Sequence, residues 1–327
     1  MPAEPAPHDR LSPRERRLRR PGPPPSGSDA MKATLTERRF SDPGWIFERK
    51  LDGVRCIAVR DGDAVRLRSR NDLALDARYP ELVPALAAQA APRFALDGEV
   101  VAFDGEQTSF ARLAGRGRRW TPVYLYVFDI LWLDGEDLRR LPLLSRKRAL
   151  TAAIDFADPL RLTVHREADG EAFFREACAS GWEGLIAKRA DSPYTAARSR
   201  DWRKFKCEHA QELVIGGFTA PRGSREHFGA LLLGHYDGDA LRYAGKVGTG
   251  FDRVTLADLA ERLGRLRAQS PPYADPEPLR KIAGVTWVRP ELVAQVAFTE
   301  WTADGLLRHP RFLGLREDKA PGEVVRE

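Results

Sequence analysis

FERKLDGVR, residues 47–55, ends a strand-like apolar run on a lysine and then turns sharply at an Asp-Gly pair. Arg49 and Arg55 flank Lys50, and we expect this crowding of cations, together with burial, to favour a neutral amine. A neutral amine is a nucleophile. The alternative is an edge-strand lysine whose stem covers apolar surface while its ammonium group reaches water.

The composition points to a nucleic-acid partner and a reducing environment. The chain has 327 residues, a net charge of +6 and a pI of about 9.3, which suits a polyanion, although an arginine-rich surface can also serve solubility alone. Its length predicts two domains. Cys56, Cys178 and Cys207 show no CxxC spacing, so they indicate neither a disulfide framework nor a thiolate metal cluster. No apolar run approaches the roughly 18 residues of a membrane span, so we expect a soluble cytoplasmic protein.

Residues 1–30 are predicted to form a disordered, basic, proline-rich tail. They combine Pro, Gly, Ser and clustered Arg with almost no large apolar side chain, so burial cannot offset the entropy lost on ordering. The run RERRLRR, residues 14–20, either contacts phosphates or is simply solvated. The folded protein is predicted to begin at Met31.

Short strand-like runs separated by turn signals begin at Trp45, which predicts antiparallel sheets with a few packed helices. An Asp-Gly-Asp turn at 61–63 predicts a hairpin, and apolar spacing predicts helices in ARYPELVPALAAQA, LSRKRALTAAI and GEAFFREACASG. Farther along, Gly-rich strands surround one helix, DRVTLADLAERLGRLRA, which favours a small β-barrel of the OB-fold class. We therefore predict an α+β chain with domains at residues 31–208 and 209–327.

Two pairs of charged residues suit a phosphate-binding site. Glu99 and Glu183 lie on separate strand-like runs and are candidate ligands for Mg²⁺, which takes oxygen donors; the alternative is an exposed surface pair. Lys204 and Lys206 alternate about Phe205, so both lysines face one side of a strand. This arrangement is either a phosphate clamp or an ordinary amphipathic strand.

KLDGVR, residues 50–55, resembles the first motif of the covalent nucleotidyltransferases, the superfamily of ATP-dependent DNA ligases, RNA ligases and mRNA-capping guanylyltransferases. In that family the lysine attacks the α-phosphate of ATP or GTP and holds the nucleotide as a phosphoramidate, which makes Lys50 the predicted catalytic nucleophile. The later motifs follow in the family's order, as SRN (69–71), LDGEVV (96–101), YVFDILWLDG (126–135), EGLIAKR (183–189) and RDWRKFK (200–206).

The resemblance implies a role for each matched position. Arg70 would lie near the ribose and the 5′-phosphate of the nucleic acid, and Phe128 would stack on the purine, although core packing is the alternative for a phenylalanine. Glu99 and Glu183 would bind metal, and Glu99 would also contact the nucleotide. The remaining predicted contacts to ATP or AMP are Glu48, through the adenine amino group, and Arg55, Lys188, Lys204 and Lys206.

LRHPRFLGLREDK, residues 307–319, resembles the last motif of ATP-dependent DNA ligases, in which Arg316 and Lys319 of the OB domain would meet the β- and γ-phosphates. The stretches 35–55 and 300–312 are closer still to the ligase module of bacterial end-joining DNA ligases. The resemblance implies an ATP-dependent DNA ligase that uses Mg²⁺ or Mn²⁺ and seals 3′-OH/5′-phosphate nicks in duplex DNA. It would act as a monomer in DNA repair or end joining, with end-joining or repair proteins as partners, in the bacterial cytoplasm at the nucleoid.

Two alternatives stay open, an RNA ligase of the same superfamily and a non-catalytic DNA-binding relative. The second has no use for Lys50 together with two metal carboxylates. GDALRYAGKVGTG, residues 238–250, superficially suggests a P-loop, but six residues separate Gly238 from Gly245, and Val247 stands where Ser or Thr should bind Mg²⁺. We therefore predict a barrel turn there. The six histidines lack paired ligand spacing, so no zinc site is predicted.

Overall fold

The structure is a computed structural model that describes residues 12–36, 38–117, 120–207, 209–221, 223, 226–275, 279 and 282–326. The chain divides after Cys207 into two compact units, Met1–Cys207 and Glu208–Glu327. The boundary expected from the sequence, between residues 208 and 209, differs from this division by one residue.

The described part of the first unit contains these elements in chain order: α1 (Pro13–Arg16), β1 (Arg20–Pro21), β2 (Lys32–Leu35), β3 (Trp45–Arg49), β4 (Val54–Asp61), β5 (Ala64–Arg68), α2 (Leu82–Ala87), β6 (Arg93–Val101), β7 (Phe103–Asp104), β8 (Gln107–Thr108), α3 (Phe110–Ala114), β9 (Tyr124–Leu133), β10 (Glu136–Asp137), α4 (Leu143–Ala153), β11 (Leu160–Leu162), β12 (His165–Glu167), α5 (Gly170–Ala179), β13 (Gly184–Arg189) and β14 (Arg198–Lys206). Short 3-10 turns lie at Gly27–Asp29 and Gly115–Gly117.

The first sheet has the strand order β1-β10-β9-β6-β4-β5, with β11 added in parallel beside β9. Burial is nearly continuous along β6 and β9, because both faces of these strands are covered. One face packs on α2, α3 and α4 through a core that includes Leu86, Phe110 and Leu150. On the opposite face, Phe128 packs edge-on against Trp202 of β14, with ring centroids 6.1 Å apart.

The second sheet has the order β12-β3-β13-β14-β2. Its outer face is apolar. Phe47, Leu185 and Phe205 are fully buried there, and Phe173 of α5 packs against them. The alternation predicted around residue 205 is confirmed, because the lysines on either side of Phe205 are only half-buried. The inner face of this sheet is therefore left for polar residues.

The described part of the second unit contains β15 (His209–Thr219), β16 (Leu231–Asp237), β17 (Ala240–Val247), α6 (Arg253–Arg265), β18 (Arg267–Ala268), β19 (Val285–Phe298), β20 (Glu300–Trp301), β21 (Leu307–Arg308) and β22 (Arg311–Leu315), with a 3-10 turn at Pro321–Glu323. Its main sheet runs β17-β16-β15-β19-β18, and β22 pairs with β19. Leu259 and Leu263 of α6 enter the core of this unit. In the stretch that superficially resembles a P-loop, a turn at Gly238 (φ +59°) leads into β17.

Residues 12–30 are ordered against the first unit, so the prediction of a disordered tail is wrong for this segment. β1 pairs with β10, and Trp132 Nε1 donates a hydrogen bond to the Gly22 carbonyl at 2.8 Å. The segment gains its order from backbone pairing with strands more than a hundred residues away, which composition cannot reveal. Residues 1–11 lie outside the described residues.

Cys178 and Cys207 form a disulfide, so the expectation that the cysteines form no disulfide is wrong. The Cα atoms lie 5.4 Å apart, where the end of α5 approaches the chain just after β14. The two cysteines are 29 residues apart, and only the fold brings them together. Cys56 is a buried free thiol.

Other predicted elements are confirmed. The hairpin of β4 and β5 turns at Gly62 with φ +65°, a conformation that glycine adopts without strain. The predicted helices correspond to α2, α4, α5 and α6. Among the described residues, every helix is too short or too polar to cross a bilayer.

Candidate active site

Strand register places four of the predicted site residues, Glu48, Lys188, Lys204 and Lys206, on the inner face of the second sheet. Glu48 of β3 lies opposite Ile186 of β13, which lies opposite Lys204 of β14. Gly184 in turn lies opposite Lys206. Residues that oppose each other in neighbouring strands share a face. Lys188 lies two residues beyond position 186 on the same strand, so it shares this face. The face therefore carries three lysines and Glu48, close to the end of β3, where Lys50 follows.

Lys50 lies just after β3, where its backbone N–H donates to the Gly184 carbonyl at 2.9 Å. Its Nζ contacts Glu183 Oε1 in an ion pair whose side chains are 18% and 15% exposed. Burial acts to lower the pKa of Lys50, but the carboxylates of Glu183, Asp52 and Glu99 outweigh it and raise that pKa. Lys50 is therefore held as an ammonium ion.

The expectation that positive charge crowds Lys50 is wrong, because the guanidinium groups of Arg49 and Arg55 do not point at its amine. The guanidinium of Arg49 lies over the Trp182 ring, 4.5 Å from its centroid. Arg55 instead forms a bidentate pair with the fully buried Asp97, with 2.6 Å between Nη2 and Oδ2. The sequence could not show this, since side-chain direction depends on partners from other strands.

Tyr194 completes the Arg55 site and was missed by sequence reasoning. Its hydroxyl donates to Asp97 Oδ2 at 2.6 Å and accepts from the Met31 backbone N–H at 2.8 Å. Burial and the neighbouring carboxylate raise the pKa of Tyr194 well above its ordinary value, so the hydroxyl stays a donor. The Arg55 guanidinium then lies 4.7 Å from the Phe128 ring centroid. Asp97 thus orients an arginine against the predicted purine-stacking ring.

Glu48 is enclosed by two ammonium groups. Its Oε1 contacts Lys147 Nζ, and its Oε2 lies 2.6 Å from Lys188 Nζ. Burial acts to raise the pKa of Glu48, but the two lysines together outweigh it and lower that pKa, so the carboxylate stays ionised. An adenine amino group, the partner expected for Glu48, would therefore meet an acceptor that is already held in place by cations.

Lys188 is almost fully buried, between Glu48 and two aromatic rings. Its Nζ lies 4.1 Å from the Phe128 centroid and 4.0 Å from the Trp202 centroid. Burial lowers the pKa of Lys188 to about 8, against the opposing attraction of Glu48. Lys147, on α4, also donates from Nζ to the Phe128 carbonyl at 3.1 Å. No motif in the sequence marked Lys147, because a helical lysine ordinarily faces water.

Arg70 lies at the tip of the SRN loop, whose shape is set by Ser69. The buried Ser69 Oγ accepts backbone hydrogen bonds from Asn71 and Leu73 at 3.3 and 3.2 Å. Gly27 of the N-terminal segment packs on this loop so tightly that a Cβ there would lie 1.9 Å from the Ser69 carbonyl oxygen. The segment expected to be disordered therefore supports the loop that carries Arg70.

Glu99 and Glu183 fit the expected divalent cation. Both carboxylates act on the Lys50 ammonium, and Glu183 Oε2 is buried with no hydrogen-bond partner among the described residues. The part of the chain that the structure describes has no cluster of three or more His, Cys, Asp or Glu side chains that could hold a metal. Mg²⁺ commonly binds one or two carboxylates and completes its shell with waters and substrate phosphates, so this pair suits a cation that arrives with a triphosphate.

Arg316 and Lys319 belong to the second unit, where both pair with carboxylates. Arg316 Nη2 donates to Asp318 Oδ2 at 2.7 Å, and Lys319 Nζ donates to Glu212 Oε2 at 3.2 Å. These pairs hold the two cations near each other in the segment after β22. Their predicted contact with the β- and γ-phosphates stays a prediction.

Comparisons with known proteins agree with this geometry. Residues 28–206 match the family described as ATP dependent DNA ligase domain, and residues 224–319 match the ATP dependent DNA ligase C terminal region. The multifunctional non-homologous end joining protein LigD of Pseudomonas aeruginosa is 42% identical over 296 residues, covering 86% of this chain and 35% of that protein. The DNA ligase of Thermococcus fumicolans is 33% identical over 305 residues, covering 85% of this chain and 53% of that protein.

A solved structure of mycobacterial DNA ligase D complexed with ATP and MES is 37% identical, with a TM-score of 0.66, and covers 92% of this chain and 99% of that one. This chain therefore spans a minor part of the LigD relative and about half of the Thermococcus protein. The predicted architecture, an antiparallel-sheet adenylation domain followed by an OB-fold domain, is confirmed. With matches across both units, the chain belongs to the family of ATP-dependent DNA ligases.

Proposed function

We propose that this chain seals 3′-OH/5′-phosphate nicks in duplex DNA through a lysine–AMP intermediate. The observation that carries the proposal is the register of β3, β13 and β14, which puts the end of the Lys50 strand beside Glu183 and on one face with Lys204 and Lys206. A nucleophile, a carboxylate and two cations on one face are the groups that phosphoryl transfer requires.

In the first step Lys50 Nζ attacks the α-phosphorus of ATP. The ammonium must first lose a proton, which would pass to solvent once Glu183, its ion-pair partner, is engaged by the cation. A bond forms between Nζ and phosphorus, the bond from phosphorus to the bridging oxygen breaks, and pyrophosphate leaves. Phe128 and Glu48 would hold the purine, and Arg55 would lie against the nucleotide.

Lys204 and Lys206 would balance charge on the α-phosphate, and Arg316 and Lys319 would do so on the β- and γ-phosphates. Lys188 would contribute to the ATP site by holding Glu48 beside the purine. Glu99 and Glu183 would hold Mg²⁺ or Mn²⁺, which neutralises the triphosphate when bound. Both carboxylates are needed as oxygen donors, so the proton leaving Lys50 has to pass on to solvent once the cation occupies them.

In the second step an oxygen of the nick 5′-phosphate attacks the AMP phosphorus, and the bond to Lys50 Nζ breaks. In the third, the 3′-hydroxyl attacks the 5′-phosphorus and AMP leaves. Arg70 is the residue we assign to the 5′-phosphate, because the SRN loop holds it at a fixed tip. We infer that the chain acts as a monomer with nicked DNA, in the bacterial cytoplasm at the nucleoid, in repair or end joining with partner proteins.

A substrate comparison tests the proposal. Purified protein with ATP and Mg²⁺ is given a nicked duplex made wholly of DNA and matched duplexes with RNA on one or both strands at the nick. We expect the all-DNA nick to be sealed fastest. Sealing of the RNA nick alone would assign an RNA ligase, and binding of nicked DNA with no sealing of any duplex would assign a non-catalytic relative.

A further inference from the structure

A concave site lies on the first sheet, lined by residues outside the predicted ATP site. It has a volume of about 430 Å³ and is lined by Phe103, Gly105, Glu106, Pro122, Tyr124, Tyr126 and Arg161. We call it the aromatic pocket. None of its residues belongs to the predicted ATP site, and three of its seven lining residues are aromatic.

The rings of the pocket are fixed in place by one arginine. The Arg161 guanidinium lies over the Tyr124 ring, 3.8 Å from its centroid, and its Nη1 donates to the Tyr126 hydroxyl at 3.2 Å. Asp158 holds the guanidinium through two hydrogen bonds of 2.6 and 2.9 Å. Phe103 packs edge-on against Tyr124, with centroids 5.7 Å apart. The result is a rigid stack of π-faces and one planar cation, half-exposed to solvent.

The pocket is continuous with the catalytic residues. Tyr126 of β9 lies opposite Glu99 of β6, which lies opposite Arg55 of β4, so the three side chains share a face. On the other side, Arg49 Nη2 donates to the Glu106 carbonyl at 3.4 Å, which joins the pocket rim to the strand that ends at Lys50. An occupant of this pocket would therefore lie against the sheet face that carries Glu99 and Arg55.

We propose that the aromatic pocket binds an unpaired nucleobase at the end of the DNA strand being sealed, an inference that rests on the proposed DNA-ligase function. Aromatic faces and arginine planes stack on nucleobases of any sequence. A paired base is already stacked on both sides within the duplex, so only a base released from pairing can enter. The Glu106 carboxylate, exposed at the rim, can accept from an exocyclic amine of that base.

Fluorescence of 2-aminopurine gives a direct test. The probe is placed as a mismatched 3′-terminal base at a nick whose 3′ end lacks the hydroxyl, so that binding is measured without turnover. Wild-type protein should quench the probe on saturation and bind this nick about tenfold more tightly than Arg161→Gln or Tyr124→Leu do. On the fully paired nick the three proteins should bind equally.

The control variant is Arg166→Gln, which removes a comparable arginine that lies 4.1 Å from the Phe173 centroid, away from the pocket. It should quench like the wild type. Equal quenching and affinity for Arg161→Gln, Tyr124→Leu and wild type would overturn the inference. Saturable binding of a polyproline peptide with no quenching of the base would assign the pocket to a peptide and would also overturn it.

Sealing of a fully paired nick separates this inference from the proposed function. If wild type and both pocket variants seal it equally, the ligase function stands and the variants are folded, so a failed quenching experiment counts against the pocket alone. If wild type seals no paired nick, the proposed function itself has failed.

Discussion

The ammonium group of Lys50 is ion-paired with Glu183, the same carboxylate that fits a divalent cation. The carboxylates around Lys50 raise its pKa, so without substrate the amine is kept protonated and unreactive. A cation that took up Glu183 would remove this partner, after which burial would favour the neutral amine. The same ion pair would therefore keep this buried lysine charged in the free protein and release it as the proposed nucleophile when a cation binds.

Lys147 connects the two residues predicted to recognise adenine, since its Nζ contacts Glu48 and donates to the Phe128 carbonyl. We expect Lys147→Met to raise the KM for ATP about tenfold with little change in kcat, because a charge-assisted contact is lost from binding alone. Discrimination against ITP, which carries an oxygen in place of the adenine amino group, should fall because Glu48 loses one of the two lysines that hold it. Adenylylation rates with both nucleotides measure this.

The control for Lys147→Met is its neighbour, Arg148→Met. Arg148 is 52% exposed and pairs with Glu15, so this variant removes one positive charge without touching Glu48. It should keep the wild-type preference for ATP over ITP. An unchanged preference in Lys147→Met would show that Lys147 does not position the adenine site.

Lys188 gives a pH dependence with a definite sign. Its pKa falls from 10.5 in the unfolded chain to about 8 in the folded protein. Between these values the unfolded chain binds more protons, so the free energy of unfolding contributed by this lysine rises with pH. Urea unfolding at pH 8, 9 and 10 should show wild type gaining on the order of 2 kcal/mol relative to Lys188→Met. Parallel pH curves for the two proteins would contradict the lowered pKa.

The disulfide between Cys178 and Cys207 closes the loop that carries Glu183, Lys188, Lys204 and Lys206. Reduction should lower the free energy of unfolding by about 2–4 kcal/mol, because the reduced chain has a less restricted unfolded state. Urea unfolding with and without dithiothreitol measures this. Cys178→Ser should match the reduced wild type and not respond to the reductant. Denatured, unreduced protein should expose one reactive thiol, Cys56; three thiols would contradict the pairing.

Local pattern was enough to predict the strand alternation around Phe205 and the hairpin at Gly62, because both depend on the two-residue period of a strand and on turn chemistry. The motifs that resemble those of the covalent nucleotidyltransferases located Lys50 and Glu183, and the fold brings these two residues into contact. These features lie within short stretches of sequence.

Contacts between distant stretches could not be predicted. Lys147 reaches Glu48 from a helix about a hundred residues away, and Tyr194 reaches Asp97 across 97 residues. A single sequence gives no signal for such pairs, since each residue alone has an ordinary surface or core explanation. The expectation that Arg55 points toward Lys50 is wrong for the same reason. Its guanidinium pairs with Asp97 instead.

Covalent labelling with α-³²P-ATP and Mg²⁺ tests the role of Lys50 most directly. Wild type should retain a label that is stable to base and lost in acid, as a phosphoramidate is, and Lys50→Ala should retain none. Lys32→Ala, which removes an exposed lysine of the same unit, should label like wild type. A label that persists in Lys50→Ala would contradict the assignment of Lys50 as the nucleophile.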